Sequence, residues 1–134
     1  MADSPDWTYW DIPTIVVDTE PVPEIPANET AIAQLSEYQG VEETYQIVVQ
    51  WIVSAGKSGI LQEISMASSN YDKTLFQLSI ATYFHFSDQT LKQPLTLVFP
   101  GLKLPPGTWV YLAAKSSDST SIIVDGSISG KEVG

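Results

Sequence analysis

The single histidine of this chain, His85, sits between Phe84 and Phe86. Nucleophilic catalysis needs a base within hydrogen-bond reach of a hydroxyl or thiol, and a third group to orient that base. A histidine flanked by two phenylalanines reads instead as a structural, tucked-in residue, and the abundant serines single out no partner for it. Glu63 and Asp72 are a carboxylate pair of the type used in glycoside hydrolysis, but nothing in the sequence sets their separation. Asp118, Asp125 and the Glu42-Glu43 pair are oxygen donors suited to calcium, yet their spacing matches no calcium loop. Cysteine is absent, which excludes disulfides and thiolate zinc sites. Arginine is absent as well. It is the usual bidentate reader of phosphate and carboxylate, so nucleotide and phosphoryl-transfer functions lose ground. No Gly-x-Ser-x-Gly elbow, phosphate loop or histidine-based metal motif occurs. These residues predict a chain that is not an enzyme and that uses no cofactor and no metal.

Recognition chemistry is better represented. β-Sandwich modules that hold sugars present aromatic faces, and Trp51, Tyr83, Trp109 and Tyr111 are candidates. Trp51 and Trp109 fall within apolar mid-strand runs, where core positions are expected. Tyr71, in a polar turn, is the best single candidate for an exposed aromatic platform.

Charge divides the chain in two. Residues 1–43 hold ten carboxylates and no lysine, whereas residues 44–134 hold six carboxylates and six lysines. The first part therefore carries the whole net charge of −10. Five of the nine prolines also lie in residues 1–26. Proline fixes φ, lacks a donor and biases the residue before it toward extended backbone, so Glu20–Pro26 is expected to be extended. The same segment contains Trp7, Tyr9, Trp10, Ile12, Ile15, Val16 and Val17. Each aromatic ring has on the order of 150–250 Å² to bury. Residues 1–43 thus read as an acidic arm that docks on another surface, with Trp7, Trp10, Ile12, Ile15 and Val17 as anchors. Ile12–Val17 also reads as a first edge strand, and the two readings are compatible. Strong acidity disfavours nucleic acid and anionic membrane as partners and favours a basic protein surface, with a cation as the lesser alternative. The acidic N-terminus lacks the basic region of a secretory signal, and no apolar run approaches the ~20 residues that span a bilayer.

The elements that would carry these residues are mostly strands. Residues 28–39 are the exception: Asn28 as N-cap, Ile32 and Leu35 three apart and Gly40 as terminator predict a short helix. From Tyr45 onward the pattern is β-branched and aromatic. Tyr45–Val53 reads as a strand buried on most of both faces. Ile60–Met66 follows, with Ile60, Ile64 and Met66 inward. Thr74–Ala81 alternates Phe76, Leu78 and Ile80 against Gln77 and Ser79, the mark of a sheet with one wet face. Tyr83–Phe86 reads as a strand end or short connecting strand. Leu95–Phe99 closes at Pro100-Gly101, Trp109–Ala114 follows a Pro-Pro-Gly turn, and Ser121–Ser129 is the last strand. Six or seven short strands bounded by Gly, Pro and Ser clusters predict an all-β domain over residues 44–134. Its expected form is an antiparallel β-sandwich, jelly-roll-like, or a barrel.

Two stretches carry a family resemblance. Trp51-Ile52-Val53-Ser54-Ala55-Gly56-Lys57-Ser58-Gly59-Ile60-Leu61, followed by Leu102-Lys103-Leu104-Pro105-Pro106-Gly107-Thr108-Trp109-Val110, resembles small β-sandwich proteins of tailed-phage virions. Such proteins include capsid decoration (cement) proteins, which often join an extended N-terminal arm to a compact β domain and in many cases form trimers. The resemblance, over residues 45–130, implies a homotrimeric structural protein on the outside of a phage capsid, assembled in the host cytoplasm. It would clamp neighbouring copies of the major capsid protein. Tail-fibre and baseplate modules share similar sandwiches, so a carbohydrate- or receptor-binding tail-fibre module remains the alternative.

Overall fold

A computed structural model of the chain describes residues 28–134. The anchors Trp7, Trp10, Ile12, Ile15 and Val17, the proline-rich run and the candidate strand Ile12–Val17 lie outside the described residues. Within them the chain forms β1 (Glu29–Gly40), β2 (Gln46–Ile52), β3 (Ser58–Ser68), β4 (Thr74–Ile80), β5 (Tyr83–Gln89), β6 (Leu95–Leu104), β7 (Trp109–Ser116) and β8 (Ile122–Val133). A 3-10 turn, Tyr71–Lys73, precedes β4.

Two four-stranded antiparallel sheets result, ordered β1-β8-β3-β6 and β2-β7-β4-β5. The pairs β1·β8, β2·β7, β3·β6 and β4·β5 are nested, so the chain is one long hairpin ribbon rolled over itself. That winding is the eight-stranded jelly roll. The sheets are separate and do not close into a barrel.

The expected helix over residues 28–39 is a strand instead. β1 pairs with β8 along its full length, from Glu29 opposite Val133 to Gly40 opposite Ile122. A helix of about twelve residues is marginal in water, whereas each residue of β1 has a ladder partner waiting on β8. This pairing moves residues 29–40 from the expected arm into the sandwich. None of the twelve is fully buried, so backbone pairing does most of the holding.

The core lies between the sheets. Trp51, Leu61, Ile64, Phe76, Leu78, Val110, Leu112 and Ile128 are all buried in it. Each fully buried aliphatic or phenylalanine side chain contributes about 1.5–3 kcal/mol relative to exposure. Bulges decide which residues reach this core. In β2 a register shift between Ile47 and Val49 buries both Val48 and Val49. β2 is therefore an edge strand buried on one face, not on most of both, and Ile47 and Ile52 are exposed. In β3 a shift between Leu61 and Glu63 places Leu61, Ile64 and Met66 inward, while Ile60 turns outward. β6 runs through Pro100-Gly101 instead of stopping there, because Phe99, Pro100 and Gly101 bulge opposite Gln62. An edge strand tolerates the missing proline N–H, and Gly101 takes the left-handed φ of +75° the bulge needs.

Trp51 crosses from one sheet to the other. A Cβ added at Gly59 would approach its ring to 3.0 Å, and one at Gly130 to 3.2 Å. The indole thus lies over two glycines of the opposite sheet. Its Nε1 donates to Glu132 Oε2 at 2.9 Å, and the Ser54 backbone N–H donates to the same oxygen at 3.0 Å. Glu132 is only 5% exposed. Burial pulls its pKa up, but the bonds from Trp51 and Ser54 and the charge of Lys57 outweigh burial, and the net shift is downward.

Candidate ligand-binding face

Strand alternation sends one residue in two to the outer face of the β2-β7-β4-β5 sheet. Register sets those residues in rows. Ile52 stands opposite Trp109, Gln50 opposite Tyr111, and Ile47 opposite Ala113. Tyr111 is followed across the sheet by Ser79 and then Phe84, and Ala113 by Gln77. Ile52 is 57% exposed, Phe84 59%, and Trp109 and Ile47 42% each. Ser79 and Ala113 also point outward yet are buried, so they form a floor between the larger side chains.

The polar groups on this face are held in fixed orientations. Trp109 Nε1 donates to Gln50 Oε1 at 2.8 Å. The Tyr111 hydroxyl donates to Gln77 Oε1 at 3.2 Å, and Gln77 Nε2 donates to Ser87 Oγ at 3.1 Å. The Trp109 and Tyr111 rings lie 4.6 Å apart, tilted by 41°. With its Oε1 committed to the indole, Gln50 presents its amide N–H donors beside the two rings. The three rows contain no charged residue.

One border of the face is a charged latch. The Tyr45 hydroxyl donates to Asp88 Oδ1 at 2.5 Å and accepts from the Asp88 backbone N–H at 2.7 Å. Lys115 Nζ lies 3.4 Å from Asp88 Oδ1 and 4.5 Å from the centre of the Tyr45 ring. Asp88 has a left-handed φ of +55°, which turns its amide and carboxylate toward the same phenol. Burial, then the Asp88 carboxylate, raises the Tyr45 pKa. The Tyr45 bond, followed by Lys115, holds Asp88 below the usual carboxylate range. The latch fixes the end of β5 to the chain entering β2.

The candidates from the sequence are scattered. Trp51 is core, as expected, but Trp109 is not: it is on the outer face, because Val110 takes the inward position next to it. Tyr71 is not an exposed platform; its 3-10 turn tucks the ring half-buried against the core. Tyr83 is 75% exposed at the tight turn between β4 and β5. His85 is not tucked in either: edge strand β5 leaves it exposed, with its ring 6.3 Å from Phe99. Glu63 points outward in mid-β3, while Asp72 belongs to the 3-10 turn past the end of that strand. Asp118 spends its carboxylate on Lys73 at 2.8 Å and on the Thr120 hydroxyl at 2.6 Å. Glu43 accepts from Ser119, and Asp125 faces outward on β8. Among the described residues, no three His, Asp or Glu side chains gather as a metal site. Nor is any helix among them long and apolar enough to cross a membrane.

Sequence reasoning named Trp109 and Tyr111 but missed Gln50, Gln77 and Ser87. The alternation of Gln50, Trp51 and Ile52 held the signal: once Trp51 is core, Gln50 and Ile52 must face out. No family model, no curated protein and no solved structure matches this chain.

Proposed function

We propose that this protein is a structural binding module of a virion, a decoration protein on the outside of a tailed-phage type of capsid. The observation that supports it is a jelly-roll body preceded by a segment rich in carboxylates and aromatics. Jelly rolls serve in viral shells and in lectins alike, and fold by itself assigns no function. The charge partition favours the shell. Residues 1–27 hold six carboxylates and no lysine, whereas the ten carboxylates of residues 28–134 are largely offset by six lysines, so negative charge is densest ahead of the body, an arrangement suited to clamping basic protein surfaces between shell subunits. An arm extends reach without enlarging the core, at an ordering cost met on binding. Three copies in one trimer turn weak contacts into strong attachment.

In this reading the partners are the major capsid protein and two further copies of the chain, and Trp7, Trp10, Ile12, Ile15 and Val17 anchor the arm. Light scattering after size-exclusion chromatography tests the assembly: a trimer of 14.7-kDa chains has a mass of about 44 kDa. Co-sedimentation with purified shells tests attachment. The full chain should pellet with shells and a variant lacking residues 1–27 should not. Equal pelleting of both variants would remove the arm from the mechanism, and a monomer that ignores shells would remove the function.

A further inference from the structure

The geometry points to a binding site for a neutral oligosaccharide on the outer face of the β2-β7-β4-β5 sheet, centred on Trp109, Tyr111 and Gln50. A pyranose ring has an apolar C–H face and a rim of hydroxyls. It is held well by an aromatic ring under the apolar face and by fixed amides at the rim. Trp109 is 42% exposed, with Ile52 beside it and Tyr111 at 4.6 Å, which extends the platform beyond one ring.

The amides are already oriented. Gln50 is pinned by the Trp109 indole and Gln77 by the Tyr111 hydroxyl, so each aromatic carries its own amide. Hydrogen bonds from groups held this way cost little further ordering when a ligand arrives. The Ser87 hydroxyl, which accepts from Gln77, extends the polar line toward β5.

Charge selects the ligand class. The three rows hold no ionised group, so they offer nothing to a carboxylated or sulfated sugar. A chain of net charge −10 also repels polyanions. A neutral chain of hexoses matches the face on both counts. The site does not depend on the decoration function and would add surface attachment to it.

The test is isothermal titration calorimetry of the full chain with neutral gluco-, galacto- and manno-oligosaccharides of four to six residues, and with a uronic-acid oligosaccharide as the anionic comparison. At least one neutral oligosaccharide should bind in the micromolar to millimolar range, and the anionic one more weakly. Trp109→Ala should weaken that binding about tenfold or more, as truncation of an aromatic anchor does. Gln50→Ala should weaken it less, and Trp109→Phe should keep most of it; unchanged melting temperatures will show that the variants fold. Absence of binding to every neutral oligosaccharide, stronger binding of the anionic one, or binding indifferent to Trp109→Ala overturns the site. A loss of shell pelleting on Trp109→Ala with no sugar response does so too, and assigns the face to protein docking.

Discussion

Glu132 shows how a single buried charge is tolerated in a core of this size. Its carboxylate takes two donors, the Trp51 indole and the Ser54 amide, and so ties the two sheets together. Glu132→Ala would leave both donors without a partner, with an expected cost of about 1–3 kcal/mol. Urea unfolding followed by tryptophan fluorescence measures it. Acid should act on Glu132 and on two carboxylates outside this network, Asp88 and Asp118. Glu132 and Asp88 have folded pKa values below their ordinary ones, and Asp118, beside Lys73, is lowered to about 2. A depressed carboxylate adds stability above its unfolded value, about 4, and that stability drains away as pH falls through the folded value. Melting temperature should therefore fall between pH 4 and pH 2, roughly the window set by these values. Asp118→Asn should flatten part of that slope, and melts across the range would show it. Lys73, raised by the same pair, works with the opposite sign: its contribution is present below its ordinary pKa and is lost in strong alkali. Trp51 and Trp109 sit in similar apolar runs, yet one is core and the other surface. Inward parity belongs to Trp51 and Val110, which stand opposite each other, and that pairing between distant strands cannot be read from either run alone.

At the scale of elements, β1 is the clearest case of tertiary context overriding local preference. Ala31, Ala33, Gln34, Leu35 and Glu37 are good helix formers, yet the segment is a strand because β8 offers it a complete antiparallel ladder. Removal of residues 1–27 should leave a folded body with a far-UV spectrum of β type and a sharp melt. Removal of residues 1–40 should strip β8 of its neighbour and open a new sheet edge. That variant should aggregate or lose its cooperative melt; equal melts for the two truncations would refute the role given to β1. The glycines of the opposite sheet are the second constraint at this scale. A Cβ at Gly130 would run into the Ile60 carbonyl oxygen beneath the Trp51 ring. Gly130→Ala should therefore destabilise the protein by about 1–3 kcal/mol, the usual range for overpacking, and a shift of the urea midpoint measures it.

For the whole molecule, the nested pairing decides where chemistry can sit. Rolling the ribbon brings β2 beside β7 and β7 beside β4, which sets Gln50, Trp109, Tyr111 and Gln77 on one surface from three distant parts of the chain. The all-β class, most strand positions and the turns that separate them were legible in the sequence, because alternation and Gly/Pro chemistry are local properties. So was the concentration of charge in the first 43 residues. The bulges in β2, β3 and β6, the strand identity of residues 29–40 and the outward parity of Trp109 were decided by tertiary structure. Each depends on which strand lies alongside, and in a jelly roll the partner of a strand can be more than 90 residues away, as Glu29 is from Val133.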